Sequence, residues 1–509
     1  MLQFLIWLAL STKCVLCANI LYVSLLPSPS HQIWNRVFAT GLGKKGHNVT
    51  LVDLEKNKEQ FANYSHIYIE GAYDVMYSKF DPWVLASYTP TQTIAGTIEI
   101  SIVVCEAALE SQGLQQLLNY PPNFSFDLII FDVTLDCCFY PLIHRFNYPP
   151  TIGTSPWPLP SFLIYPFGSP LQPSYTPWYA LPYTDDMTLM ERFWNHIFTY
   201  GETAFRPHIK NQLEEKLMET FGEDTPPPKK LEAHISLLLS NHDLLLNYPR
   251  ALAPNIISVG GLHIPKTKEI PEDLESILNG AKNGIILFSL GTNMQSDFLT
   301  NQTQRSLVNA FANLSETIIW KYESDIDNLP RNVVVRKWLR QSDILGHPNV
   351  KLFIGHAGGL GTQEAIYHGV PMVCIPFFLD QHVNAKKIVR EKLGLSLDYK
   401  KITTENFLSR VRQVLDNPVY SENIKTLSRM YRDRKEFPLE TAIFWAEYAI
   451  RNNGCQILNT QTRNLPPYEA FNLDIVTLFI LMCIVVGLLF YKVVNLLFSK
   501  LGILKLKTN

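Results

Sequence analysis

Residues Trp338 to Gln381, WLRQSDILGHPNVKLFIGHAGGLGTQEAIYHGVPMVCIPFFLDQ, carry the densest chemical pattern in the chain. Lys351 to Ile354 is a short apolar run of strand length, and a glycine turn with His356, Gly358, Gly359 and Gly361 follows it. A helix containing Glu364 comes next. The free N–H groups at such a helix start, reinforced by the helix dipole, form a binding site for a diphosphate. Glu364, near that start, can accept hydrogen bonds from vicinal hydroxyls, and Trp338 offers a flat face for a base.

Outward from this segment, the chain alternates apolar runs with helix-length stretches. Gly284 to Ser289 reads as a buried strand, Leu290-Gly291-Thr292-Asn293 as a turn opening a helix, and Val333 to Val335 and Met372 to Ile375 as further strands. Near the start, Ile20 to Leu25 is a strand broken by Pro27-Ser28-Pro29-Ser30-His31. Ile33, Trp34, Val37, Phe38 and Leu42 then recur at helical spacing, Gly46 closes the helix, and Val49 to Val52 opens a second strand. This βαβ opening predicts a parallel sheet. Phe126 to Phe131 is another buried strand and ends at Asp132. His263 to Pro271 has linker composition, so two successive α/β domains are expected, with ligands at strand C-termini facing a cleft. Pro149 to Tyr183, dense in Pro, Trp and Tyr without periodicity, reads as a pocket-forming or lid-like region. Leu439 to Ile450 reads as a helix whose Trp445 and Tyr448 pack between the halves. No Gly-x-Gly-x-x-Gly follows the first strand of either half, which argues against a nicotinamide or flavin enzyme.

The ends place the protein. Residues 1–18 read as a secretory signal, their apolar run too short to span a bilayer. Residues 475–491 form a charge-free run of 17, about 25 Å as a helix, extendable to 498 if Lys492 snorkels. Lysines crowd only its far side, so residues 492–509 are expected in the cytosol and the body in the lumen. Lys505 and Lys507 resemble the dilysine retrieval signal of type I endoplasmic-reticulum proteins. Sequons at Asn48, Asn63, Asn123, Asn301 and Asn313 are compatible with a lumenal body. Hydrophobic residues at 47% against 18% charged exclude a disordered chain, and a net charge of −2 without a basic stripe argues against nucleic acid. Of 8 cysteines, the five outside the apolar ends (Cys105, Cys137, Cys138, Cys374 and Cys455) do not make a disulfide framework.

The Trp338–Gln381 segment closely resembles the signature of the animal UDP-glucuronosyl- and UDP-glucosyltransferase family, and the likeness extends more loosely from His31 to the apolar tail. The resemblance implies a GT-B fold: two Rossmann-like domains facing a cleft, an acceptor domain over residues 19–263 and a donor domain over 264–455, followed by the membrane helix. It implies that Trp338 stacks on uracil, Gln341 bonds the uridine, His356 and the following amides hold the diphosphate, and Glu364 takes the ribose hydroxyls. Gly291 and Thr292 would close on the phosphates, and Asp380 and Gln381 would contact the sugar. Two departures stand out: Arg340 where the family usually has Pro, and Ala357 where it usually has Gly. If Ala357 adopts positive φ, the cost is about 1 kcal/mol.

His31 and Asp132 each follow an expected strand and match the family's catalytic pair; Asp136 is the rival carboxylate. A hydroxyl acceptor needs a base, and imidazole titrates near neutrality. Direct inversion requires no enzyme nucleophile, and no metal or other cofactor is expected, the UDP-sugar being a co-substrate. Asp325-Ile326-Asp327 has the spacing of a metal-binding Asp-x-Asp but reads as a solvated loop. The expected activity is hexose transfer from a UDP-sugar to a small lipophilic hydroxyl compound. UDP-glucose is favoured, since Phe377 to Asn384 holds no cation for a sugar carboxylate. Alternatives are a glycolipid-forming transferase and a non-catalytic UDP-sugar-binding lumenal protein. Tyr73 to Tyr88 joins Pro149 to Tyr183 as a candidate acceptor wall, and homo-oligomerisation is compatible with the sequence.

Overall fold

The computed structural model describes residues 17–56, 63–135, 138–264 and 270–500. Most of the leader, Asp136, Cys137, the centre of the expected linker and the Lys505/Lys507 signal lie outside the described residues.

Two parallel sheets organise the body. The first has seven strands: β1 Asn19–Val23, β2 Asn48–Asp53, β3 Tyr64–Tyr68, β4 Leu128–Asp132, β5 Thr151–Ser155, β6 Leu237–Ser240 and β7 Ile256–Ser258, in the order 3-2-1-4-5-6-7. The second has six: β8 Ile285–Ser289, β9 Thr317–Lys321, β10 Val333–Arg336, β11 Val350–Gly355, β12 Met372–Cys374 and β13 Gly394–Ser396, in the order 10-9-8-11-12-13. Central strands such as Ile285–Ser289 and Leu128–Asp132 are buried along their whole length. Burial on both faces explains why they read as continuous apolar runs.

Helices used below are α1 Pro29–Lys44, α2 Pro90–Leu109, α3 Leu189–Phe205, α4 Gly359–His368, α5 Asp380–Arg390, α6 Pro438–Arg451 and α7 Leu473–Lys500. α6 follows the second sheet in sequence yet packs on the first. Its Ala442, Ile443 and Ala446 share a core with Trp34 and Phe38 of α1 and with Ile20 and Tyr22 of β1. Gly41 permits this crossing, because a Cβ there would sit 2.9 Å from Leu439 Cδ1.

β5 lies inside the segment expected to be aperiodic. TIGTS has no aliphatic run, but all five residues are buried. Cys105 on α2 and Cys138 form a disulfide, so among the described residues the scattered cysteines hold one bridge.

Among the described residues, 460–500 form a separate unit. Its α7 runs 28 residues and is apolar enough to cross a membrane. α2 passes the same length and composition test, but more than a third of it is buried in the body.

Candidate active site at the two switch points

In a doubly wound sheet, the loops leaving two adjacent strands part in opposite directions where the strand order reverses, and the crevice between them takes the ligand. Here the reversals fall between β1 and β4 and between β8 and β11. Val23 pairs with Phe131 and Ser289 with Gly355, so residues just beyond these pairs sit side by side at the strand C-termini. His31 and Asp132 leave the first switch point; Gly291, Thr292 and His356 leave the second.

Pro29 opens α1 and places His31 in its first turn. His31 Nδ1 lies 3.5 Å from Asp132 Oδ2, with 12% of the imidazole exposed and none of the carboxylate. That separation is long for a hydrogen bond, as catalytic contacts often are before substrate binds. Asp132 is held from behind. Asn35 Nδ2 donates to its Oδ2 at 2.7 Å, and the Thr134 N–H to its Oδ1 at 3.0 Å. Asn35 in turn accepts from the Tyr22 and Thr154 hydroxyls at 2.8 and 3.2 Å. Asn35 was not singled out from sequence, although its place one helical turn after His31 puts both on one face.

On the donor side, His356 is wedged between two glycine turns. A Cβ on Gly291 would approach its ring to 2.3 Å, and one on Gly358 to 2.2 Å. Gly291 also has φ +89°, a conformation that favours glycine. Burial, with Lys321 nearby, pushes the imidazole down to about 4, so it is neutral at physiological pH. Gly358 caps α4 without a side-chain bond, which leaves the N–H groups of Gly359 to Gly361 free of a cap. Gln341 Nε2 reaches past Gly361 and donates to Glu364 Oε2 at 2.6 Å. Burial raises the Glu364 carboxyl to about 7.

Trp338 stands 60% exposed, its ring 5.9 Å from Lys321 Nζ. Asp380 lies 3.7 Å from the Cβ position of Gly359, is bonded by Asn384 at 2.8 Å and is pushed up by burial. Gln381 is buried, and its Oε1 accepts from the Phe377 N–H at 2.8 Å. Ala357 has φ +61°, the costlier of the two conformations weighed from sequence.

His31 and all eleven donor-side candidates line one cavity of about 500 Å³; Asp132 lies behind His31. The halves also meet directly at its edge, where Asn293 Nδ2 donates to Ser28 Oγ at 2.9 Å. Lys321 is a lining residue that sequence reading missed. It ends β9, itself unrecognised, and its ammonium donates to the Gly291 carbonyl at 3.0 Å beside the Glu323 carboxylate. An apolar lobe of the cavity is formed by Met76, Tyr77, Phe80 and Leu85 with Ile100 of α2 and Trp157. Both candidate acceptor segments thus contribute lining residues. Asp325 and Asp327 lie outside the cavity lining, and Asp325 pairs with Lys337 at 3.2 Å.

Two doubly wound sheets with apposed switch points define the GT-B fold. The solved structure of CalG4, the calicheamicin glycosyltransferase, superposes with a TM-score of 0.56 at 17% identity, covering 85% of this chain and 98% of that one. The profile of the UDP-glucoronosyl and UDP-glucosyl transferase family matches residues 44–508. The chain is 31% identical to UDP-glycosyltransferase UGT5 of Dactylopius coccus over 93% of its own length and 91% of the relative's. It is also 31% identical to UDP-glucuronosyltransferase 1A8 of Rattus norvegicus, over 78% and 74%. The chain belongs to the UDP-glucuronosyl- and UDP-glucosyltransferase family and is a UDP-glycosyltransferase.

Proposed function

We propose that the protein transfers a hexose, with inversion, from a UDP-sugar to a hydroxyl of a small lipophilic acceptor, with His31 as general base. The observation that carries this reading is the His31–Asp132 pair at the lip of the cavity that holds the diphosphate-binding turn. The acceptor oxygen attacks the anomeric carbon from the face opposite UDP and forms the new C–O bond as the bond to the β-phosphate breaks. His31 takes the acceptor proton, and Asp132 stabilises the imidazolium while fixing the ring. The uncapped α4 amides take up charge developing on the diphosphate. Neutral His356 adds a hydrogen bond, so no metal is called for; full turnover in chelator is the expected result.

The donor best supported is UDP-glucose. The cavity-lining cations Arg206, Lys321 and Arg340 already face Glu202, Glu323 and Asp343, which leaves no unmatched charge for a sugar carboxylate. Asp380 would also repel one. Transfer to a lipophilic acceptor is supported by the apolar lobe. Anchoring through α7 with the body in the endoplasmic-reticulum lumen is supported by the Cys105–Cys138 bridge, which persists in oxidising compartments, and by Lys492 and Lys500 at the helix end.

The test is microsomal expression with UDP-glucose, UDP-glucuronic acid and UDP-galactose against mixed phenols, read by mass. His31→Ala should lose transfer by 10²-fold or more, on the order expected for a general base, while UDP affinity stays unchanged. Undiminished transfer by that variant would sink the base assignment.

A further inference from the structure

Pro82–Leu85 is a single helical turn of the first half in which no residue is fully buried. So short a helix has almost no stability of its own, and its place is set by the contacts it makes. Leu85 packs toward the core of the first half and lines the apolar lobe of the cavity, as do Phe80 and Pro82. Trp83 reaches into the second half instead. Its ring packs against Phe377 and Tyr399, with centroids 6.0 and 5.5 Å apart, and its indole N–H donates to the Phe298 carbonyl at 2.8 Å. The Tyr399 hydroxyl donates in return to the Ala86 carbonyl at 3.3 Å. Phe298 closes the stretch that opens with Gly291 and Thr292, and Phe377, against which Tyr399 packs at 4.8 Å, stands just ahead of Asp380 and Gln381. One wall of the apolar lobe is thus clasped by the same two stretches that carry candidate donor contacts.

We propose that Trp83, with Tyr399 as its counterpart, is a positioning residue for the acceptor: their clasp fixes the Phe80–Leu85 wall, so the second half completes the acceptor pocket. The proposal rests on the reading of the apolar lobe as the acceptor site. Neither Trp83 nor Tyr399 lines the cavity, so both act through the wall and not by touching a ligand. A tryptophan that merely filled a gap would have no need to spend its N–H on a carbonyl 215 residues away in the other half. Loss of the clasp frees the wall, and an acceptor must then order it on binding, a cost that falls on acceptor affinity and spares the uridine site.

The test uses the full chain purified in detergent and follows 1-naphthol by its fluorescence, measuring its equilibrium binding in the presence of UDP and, separately, KM and kcat for sugar transfer to it. Trp83→Ala and Tyr399→Ala should each weaken naphthol binding and raise its KM on the order of tenfold, with kcat and UDP affinity within about twofold of wild type. The double variant should be no weaker than either single, because each already opens the one clasp. Trp83→Phe, which keeps a ring and loses the N–H, should recover part of the loss. If Trp83→Ala does not fold, Trp83→Phe and Tyr399→Phe, each deleting one of the two hydrogen bonds between the halves, carry the same comparison. Effects that add in the double variant, an acceptor KM that does not move, or UDP affinity falling in step with naphthol affinity would each overturn the proposal. A wild type that binds naphthol and transfers no sugar to it sinks the transferase reading, and the clasp then stands or falls on the binding data. A wild type that binds no naphthol overturns both.

Discussion

At the residue scale, the site is governed by what burial does to single groups. Glu364 is a carboxyl raised from 4.5 to about 7 because burial disfavours its charge. In its proposed role, ribose hydroxyls donating to it would favour the ionised form, so UDP would have to displace its proton below pH 7. Affinity for UDP, measured by calorimetry, should therefore rise as pH increases from 5 to 7 and level off above. Glu364→Gln should bind more weakly and lose that slope. Ala357, at φ +61° with its carbonyl accepting from Asn384 at 3.0 Å, sits in a conformation that disfavours a Cβ. Ala357→Gly should raise stability by up to about 0.6 kcal/mol, the relief of strain less the extra freedom of unfolded glycine. A higher urea midpoint at constant slope is the readout. Both residues were legible as candidates from sequence. Their energetics were not, because φ and burial are properties of the folded environment.

At the scale of elements, most continuous apolar runs announced themselves as strands, although Leu237–Ser240, equally aliphatic, was not singled out. Ile285–Ser289 and Leu128–Asp132 were readable to within two residues because both faces are apolar. Thr151–Ser155 and Thr317–Lys321 were missed since each carries polar side chains put to use: Thr154 bonds Asn35, and Lys321 bonds Gly291. The bridge between Cys105 and Cys138 closes a 33-residue separation and ties α2 to the loop after Asp132. Its removal in Cys105→Ser/Cys138→Ser should cost about 3–4 kcal/mol on loop-entropy grounds. Dithiothreitol should accordingly lower the Tm of wild type and leave that of the double variant unchanged.

At the scale of the whole molecule, the lumenal reading makes one direct prediction. All five sequon asparagines, from Asn48 to Asn313, are exposed. Endoglycosidase treatment of the microsomal protein should increase its gel mobility, and Asn→Gln at all five should abolish the change; unmodified chain would place the body on the other side of the membrane. The sequence by itself determined the local chemistry. Hydrophobic period reports which residues a segment buries, and Trp338–Gln381 holds its turn, helix start and acidic partner within one stretch of chain. Only the tertiary structure decided that His31 and His356, more than three hundred residues apart, line the same cavity, that α6 returns to the first sheet, and that α3 turns its apolar side outward. Each of these depends on which faces meet across long separations, and a periodicity that repeats every few residues carries no record of it.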